Sequence, residues 1–262
     1  VDVDQLGVWV INLDHSTGRL DSMRRQLDAL GLAWHRVAAI HGDRLTDAQR
    51  ALFDTEGYRR KHGKTVNWRE LGCYLSHLEA MKALLASSHE FGLVLEDDVV
   101  VGADTPAVLD ALGAQVDAWD VVKLSGIHSG SPRPVRTLGA GRDLCVMLSR
   151  CTGASAYVVN RRAAQVYLDK LLPMQLPYDH AQDRGWALGL KVRKVHPVVC
   201  THSYDQGSTI DVAPPKGHRT QAARLPWYRR LSVYRYRLGN ELSRLAHGLF
   251  TWWRERASAR AG

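Results

Sequence analysis

Cysteine is scarce in this 262-residue sequence, four residues in all, and no two of them form a CxxC pair or share a zinc-type spacing with histidine. That excludes a zinc ribbon or finger and a disulfide-built scaffold, so Cys73, Cys145, Cys151 and Cys200 read as reduced thiols. No run of about 18 apolar residues occurs, and no membrane-spanning helix is expected. The opening Val1-Asp-Val-Asp-Gln5 lacks the basic start and apolar stretch of a signal peptide, which points to a cytoplasmic protein. Neither GxGxxG nor a P-loop is present, which excludes a dinucleotide fold of the usual fingerprint and a P-loop NTPase. Positive charge is not lacking. Lys and Arg outnumber Asp and Glu by 35 to 27, a formal net charge of +8 that calls for an acidic partner or surface. A hydrophobic share of 45% over this length supports one folded domain with an appendage.

The most informative stretch is Gly92-Leu-Val-Leu-Glu96-Asp97-Asp98-Val99-Val-Val101. An apolar run that drives into three carboxylates reads as a buried strand with acids at its C-terminal end. Ligands of open α/β sheets bind outside the carboxyl ends of the strands. Three acids packed there repel one another unless a cation or donor groups offset them, and hard oxygen ligands suit Mn²⁺ or Mg²⁺. The competing reading is an acidic turn after a strand.

Taken in order, residues 7–14 read as a first strand, 19–30 as a helix and 31–40 as a second strand, the pattern of an α/β nucleotide-binding unit. Residues 41–66 read as a short helix and a mobile basic loop. A strong helix is expected from Trp68 to about Ser87, capped by Asn67 with Glu70 as its capping partner. Gly72 inside it implies close backbone packing or approach to a ligand, since glycine costs about 1 kcal/mol there. Strands are expected near 119–126, 151–160 and 191–199, with a flexible loop over 127–143 and helices after Asn160 and Pro177.

Three segments carry a resemblance. Ile11-Asn12-Leu13-Asp14 with Arg19, then Glu70-Leu-Gly72-Cys73-Tyr-Leu-Ser76-His77, then Leu93-Val-Leu-Glu96-Asp97-Asp98-Val99 together resemble glycosyltransferase family 25. That family includes bacterial lipooligosaccharide and lipopolysaccharide glycosyltransferases and collagen galactosyltransferases. The resemblance implies a GT-A-type fold with a mixed, mostly parallel sheet over residues 1–215, a nucleotide-sugar donor, inversion at the anomeric carbon, and Mn²⁺ or Mg²⁺ as cofactor. It places Asp97 and Asp98 on the metal and Asn12, Arg19, Ser76, His77 and Glu96 at the donor. Asp179, with Asp183 in reserve, is the expected general base, although Asp179 also reads as a helix cap. His202 is a candidate additional metal ligand.

From Ala222 onward arginines alternate with Leu231, Leu238, Leu242, Leu245, Leu249 and Trp252 at helical spacing. Such a basic amphipathic tail, 222–262, suits an anionic bilayer and peripheral attachment to the cytoplasmic membrane. A helix packed on the domain or on a sister subunit is the alternative. No nucleic-acid-binding motif accompanies the charge. The expected function is transfer of a hexose, galactose from UDP-galactose, onto a lipopolysaccharide, lipooligosaccharide or other cell-envelope saccharide or glycolipid. A metal-dependent nucleotide-sugar hydrolase and a non-catalytic membrane adaptor are the competing classes.

Overall fold

The computed structural model of the chain describes residues 5–202 and 226–261. The N-terminal half runs β1 (Leu6–Asn12), α1 (Thr17–Ala29), β2 (His35–Ala38), α2 (Asp47–Arg50), α3 (Thr55–His62), α4 (Trp68–Ala86), β3 (Phe91–Glu96), β4 (Val99–Val101) and α5 (Thr105–Gly113). It continues with β5 (Val121–Lys123), β6 (Pro132–Gly139), β7 (Arg142–Met147), β8 (Ala156–Asn160), α6 (Arg161–Lys170), α7 (Tyr178–Gln182), α8 (Gly185–Leu188), β9 (Val192–His196), β10 (Cys200–His202) and α9 (Leu231–Ala261).

Eight strands form one sheet in the order β2-β1-β3-β8-β5-β9-β7-β6. The fold is α/β and the sheet mixed, but the expectation of a mostly parallel sheet is corrected. β1 runs parallel to β2 and β3, and β5 to β9. β8 is antiparallel to both β3 and β5, and β7 to both β9 and β6. The physical reason lies in the connections. β6 and β7 are joined by a tight turn, and no helix lies between β5 and β8 to carry a parallel crossover, which accounts for two of the four antiparallel pairs.

Side-chain alternation divides the core into two layers. Trp9, Ile11, Val94, Tyr157 and Val159 point to the face covered by α4 and α6, through Leu71, Tyr74, Leu78, Met81 and Tyr167. Val8, Val10, Leu93, Leu95 and Val158 point to the face covered by α1 and α5, through Met23, Leu27, Leu109 and Leu112. The result is a three-layer sandwich with the C-terminal ends of β1 and β3 side by side.

Two expected loops are ordered elements. Residues 132–147 form the hairpin β6–β7, turned at Ala140 and Gly141, both with positive φ. Pro132 and Pro134 favour a loop by local rules, yet β6 is the outermost strand, the place in a sheet where proline is tolerated. The basic run Tyr58–His62 lies in α3, capped by Asp54 and ended at Gly63 in the left-handed conformation. Tyr58 and His62 are buried there.

The α4 start forms at Asn67 as expected, with its side chain accepting from the Arg69 amide at 3.0 Å. Glu70 does not complete a capping box; it accepts instead from the Tyr58 hydroxyl and faces Lys64. A Cβ on Gly72 would stand 2.5 Å from the Ile40 carbonyl oxygen, and one on Gly42 would stand 2.4 Å from Arg69 Cα. The two glycines let α4 lie directly on the backbone that follows β2.

The tail helix inverts the sequence pattern. α9 turns Val233, Arg244, Thr251 and Glu255 inward, all buried, while Leu231, Leu238, Leu242, Leu245, Leu249 and Trp253 are exposed. Arg244 pairs with buried Asp183, and Glu255 meets Arg136 at 2.8 Å and Arg193 at 3.9 Å. Residues 203–225, including the expected domain boundary, lie outside the described residues.

Candidate active site

A cavity of about 290 Å³ opens where β1 and β3 end, a size at the low end for small-molecule sites. It is lined by Leu13, His15 and Arg19 after β1, by Ile40 to Asp43 after β2, by Arg69, Cys73, Ser76 and His77 of α4, and by Glu96, Asp97 and Asp98. The three acids follow β3 because the strand delivers them to its carboxyl end and a tight turn leads into β4.

Each acid has a different environment. Asp97 Oδ2 accepts from Asn12 Nδ2 at 2.7 Å, and its Oδ1 meets Arg19 Nη1 at 3.2 Å. Burial raises the Asp97 carboxyl above its ordinary value, and Asn12 and Arg19 oppose that rise. Glu96 Oε1 lies 3.1 Å from His77 Nε2. His77 is buried, stacked on Tyr178 at 4.2 Å between centroids, with its Nδ1 3.1 Å from the Tyr157 hydroxyl.

The remaining expected donor residues divide between wall and support. Asn12 is buried behind the cavity, donating also to the Ser16 carbonyl and accepting from Arg36 Nε at 3.0 Å, so it holds Asp97 in place. Ser76 reaches the wall, but its hydroxyl donates to the Gly72 carbonyl and accepts from the Ile40 amide, which stitches α4 to the chain after β2. Strand β10 pairs with β4 so that the His202 backbone stands opposite Val99, next to Asp98; the His202 side chain lies outside what is described.

Asp179 and Asp183 are not on this wall. Asp179 Oδ2 accepts from the Gly153 amide and Oδ1 from the His180 amide. Burial pushes the Asp179 carboxyl up, but His180, those amides and Lys123 together hold it below its ordinary value. It does not cap α7, whose N-cap is Pro177. Asp183 is buried against Arg244 and the Cys151 amide, and burial raises its carboxyl despite Lys123 and Arg244. Its geometry is that of a tie between α7 and α9.

Sequence reasoning missed Asp43 and Arg69, paired at 3.2 Å on the cavity wall, and the Tyr157–Tyr178 support behind His77. Arg69 sits one turn before Cys73 on α4, a signal readable once that helix is phased. The tyrosines come from β8 and α7, which the sequence does not place beside α4.

A family model described as glycosyltransferase family 25 (LPS biosynthesis protein) matches residues 5–182. The chain belongs to glycosyltransferase family 25. The family match spans the cavity and all three acids. A procollagen galactosyltransferase 1-B of Xenopus laevis is 26% identical over 180 residues, covering 64% of this chain and 29% of the relative. A glycosyltransferase 25 family member of Anopheles gambiae is 31% identical over 98 residues, 35% of this chain and 16% of the relative. A probable inactive glycosyltransferase 25 family member 3 of Bos taurus is 22% identical over 222 residues, 77% of this chain and 37% of the relative. The chain thus spans less than two fifths of each of these relatives.

Proposed function

We propose that the chain is an inverting, metal-dependent glycosyltransferase of GT-A type that moves a hexose from a nucleotide-sugar donor to a saccharide acceptor. The observation that carries this reading is the cavity at the ends of β1 and β3, walled by Glu96, Asp97, Asp98 and Arg19 within the family match. Galactose from UDP-galactose is the proposed donor group because several relatives are named galactosyltransferases. A lipopolysaccharide or lipooligosaccharide acceptor is proposed from the family's description.

Carboxylate oxygens of Asp97, Asp98 and Glu96 are a donor set that fits Mn²⁺ or Mg²⁺. When bound, such an ion supplies positive charge against the diphosphate leaving group. Arg19 adds a fixed cation on the same wall, suited to phosphate oxygens, and Asn12 keeps Asp97 turned toward it. His77 orients Glu96 from behind. A single inverting displacement also needs a base for the acceptor hydroxyl. Asp179 is the proposed base, with Asp183 in reserve; both lie off the cavity wall, Asp179 held by the Gly153 and His180 amides and Asp183 held through Oδ2 by Arg244 and the Cys151 amide.

Thermal melting of the protein with nucleotides and nucleotide-sugars, with and without Mn²⁺, tests the reading. A ligand that binds the native state raises its melting temperature. The expected result is a Mn²⁺-dependent rise with one UDP-hexose, lost in Asp98→Ala, together with acceptor-dependent glycoside formation by mass spectrometry. Donor breakdown that no acceptor accelerates would indicate a hydrolase. Absence of any nucleotide response would sink the donor site and favour a non-catalytic adaptor.

A further inference from the structure

From the face of α4 that looks into the cavity, the geometry points to a second kind of metal site: Cys73, His77 and Glu96 form a three-ligand site for Zn²⁺. Cys73 and His77 are four residues apart on α4 and therefore share a face. Glu96 arrives from the end of β3. Cys73 Sγ, a ring nitrogen of His77 and a Glu96 carboxylate oxygen all lie within 4.8 Å of one another, the sole such trio of His, Cys, Asp or Glu among the described residues, and His77 Nε2 is the nitrogen 3.1 Å from Glu96 Oε1. Zinc bonds of about 2.0–2.3 Å in a tetrahedron set ligand atoms about 3.3–3.6 Å apart, so closure needs side-chain shifts on the order of 1 Å. All three residues line the cavity, which leaves the fourth position open to water or a ligand.

The surroundings supply what a metal-bound imidazole requires. A ligating histidine normally donates its other ring N–H to an oxygen, which fixes the tautomer. With Nε2 on the metal, His77 Nδ1–H donates to the Tyr157 oxygen, and the Tyr157 hydroxyl donates onward to Tyr178 at 3.0 Å. Without metal the same chain runs in reverse, Nε2–H donating to Glu96 and Tyr157 donating to Nδ1. The ring stack on Tyr178 holds the imidazole plane in either state. On binding, the Cys73 thiol proton passes to solvent as the sulfur–metal bond replaces a metal-bound water.

Ligand softness separates this site from the acids beside it. Thiolate and imidazole favour zinc, whereas carboxylates alone suit Mn²⁺ and Mg²⁺. Zinc here would occupy Glu96 and fill one wall of the cavity, so it would obstruct a ligand there. The proposal does not depend on which reaction the cavity hosts.

Co²⁺ serves as the spectroscopic probe, titrated anaerobically into the metal-stripped full chain. The expected result is a thiolate-to-cobalt charge-transfer band with intense tetrahedral visible bands, displaced by equimolar Zn²⁺. The charge-transfer band should vanish in Cys73→Ser and persist in Asp98→Asn and in Cys145→Ser. Tyr157→Phe should weaken affinity by about 10-fold or more, the usual loss of an outer-shell partner. A wild-type chain that gives no thiolate band overturns the site, as does a band that survives in Cys73→Ser with an unchanged melting curve. Should Cys73→Ser fail to fold, alkylation of the wild-type chain decides. Zn²⁺ must protect Cys73 from iodoacetamide, and unprotected labelling overturns the site.

Discussion

At the scale of single residues, His62 is the clearest stored sensitivity. It is buried between Tyr58 and His180, with its Nε2 lacking a hydrogen-bond partner. Burial, followed by the charges of His180, Lys64 and Arg237, pushes its imidazole down to about 3. An unfolded histidine titrates near 6.5, so below that pH the unfolded chain binds a proton that the folded chain refuses. Its contribution is fully present above about 6.5 and is lost as pH falls toward about 3. Urea unfolding of the wild type should therefore show an acid limb of up to about 1.4 kcal/mol per pH unit from this group. His62→Gln should flatten that limb between pH 6 and 4; an unchanged slope would remove the residue from this role. The cavity residues differ in how visible they were. Arg19 and the Glu96–Asp98 triplet announce themselves as charges at strand ends, while Tyr157 and Tyr178 read simply as strand and helix aromatics.

At the scale of elements, α4 and α9 teach opposite lessons. The apolar stripe of α4 is its buried face, and Gly72 marks a point where its backbone meets the chain after β2. In α9 the apolar stripe is the outer face, because buried ion pairs claim the inner one. Asp183 follows α7, and Arg136 and Arg193 come from β6 and β9, so no local pattern in 231–261 could have announced them. Breaking a buried pair by removing one partner typically costs 3–5 kcal/mol, and Arg244→Ala should lower unfolding stability on the order of that amount. Leu242→Ser and Leu245→Ser, on the exposed face, should stay within about 0.5 kcal/mol of wild type. Chemical denaturation of the three variants checks this, and the reverse order would mean that the leucines are covered.

At the scale of the whole molecule, a positive net charge and an outward apolar row on α9 belong together. Leu231, Leu238, Leu242, Leu249 and Trp253 are exposed, as is Trp227 just before the helix, with exposed Arg235, Arg254 and Arg256 on the same helix. We expect the full chain to sediment with vesicles containing anionic lipid, not with purely zwitterionic ones, and to be released by high salt. Leu238→Glu with Leu242→Glu should abolish that association. Concentration-dependent dimers in analytical ultracentrifugation, without vesicle binding, would instead assign the face to a second copy. This test also bears on localisation, for which none of the described helices is long and apolar enough to cross a membrane.

The local code settled which segments are helix and strand through most of the first hundred residues, and it put the three acids at the end of a buried strand. Periodicity and strand-end charge are properties of contiguous residues, so they survive without knowledge of the fold. It also settled the family resemblance that the match over residues 5–182 now shows. Strand order and direction, the burial of α3, the inward face of α9 and the gathering of Cys73, His77 and Glu96 came from the packed molecule alone. Each depends on partners brought together from distant parts of the chain, and what a side chain pairs with outweighs the pattern around it once water is excluded.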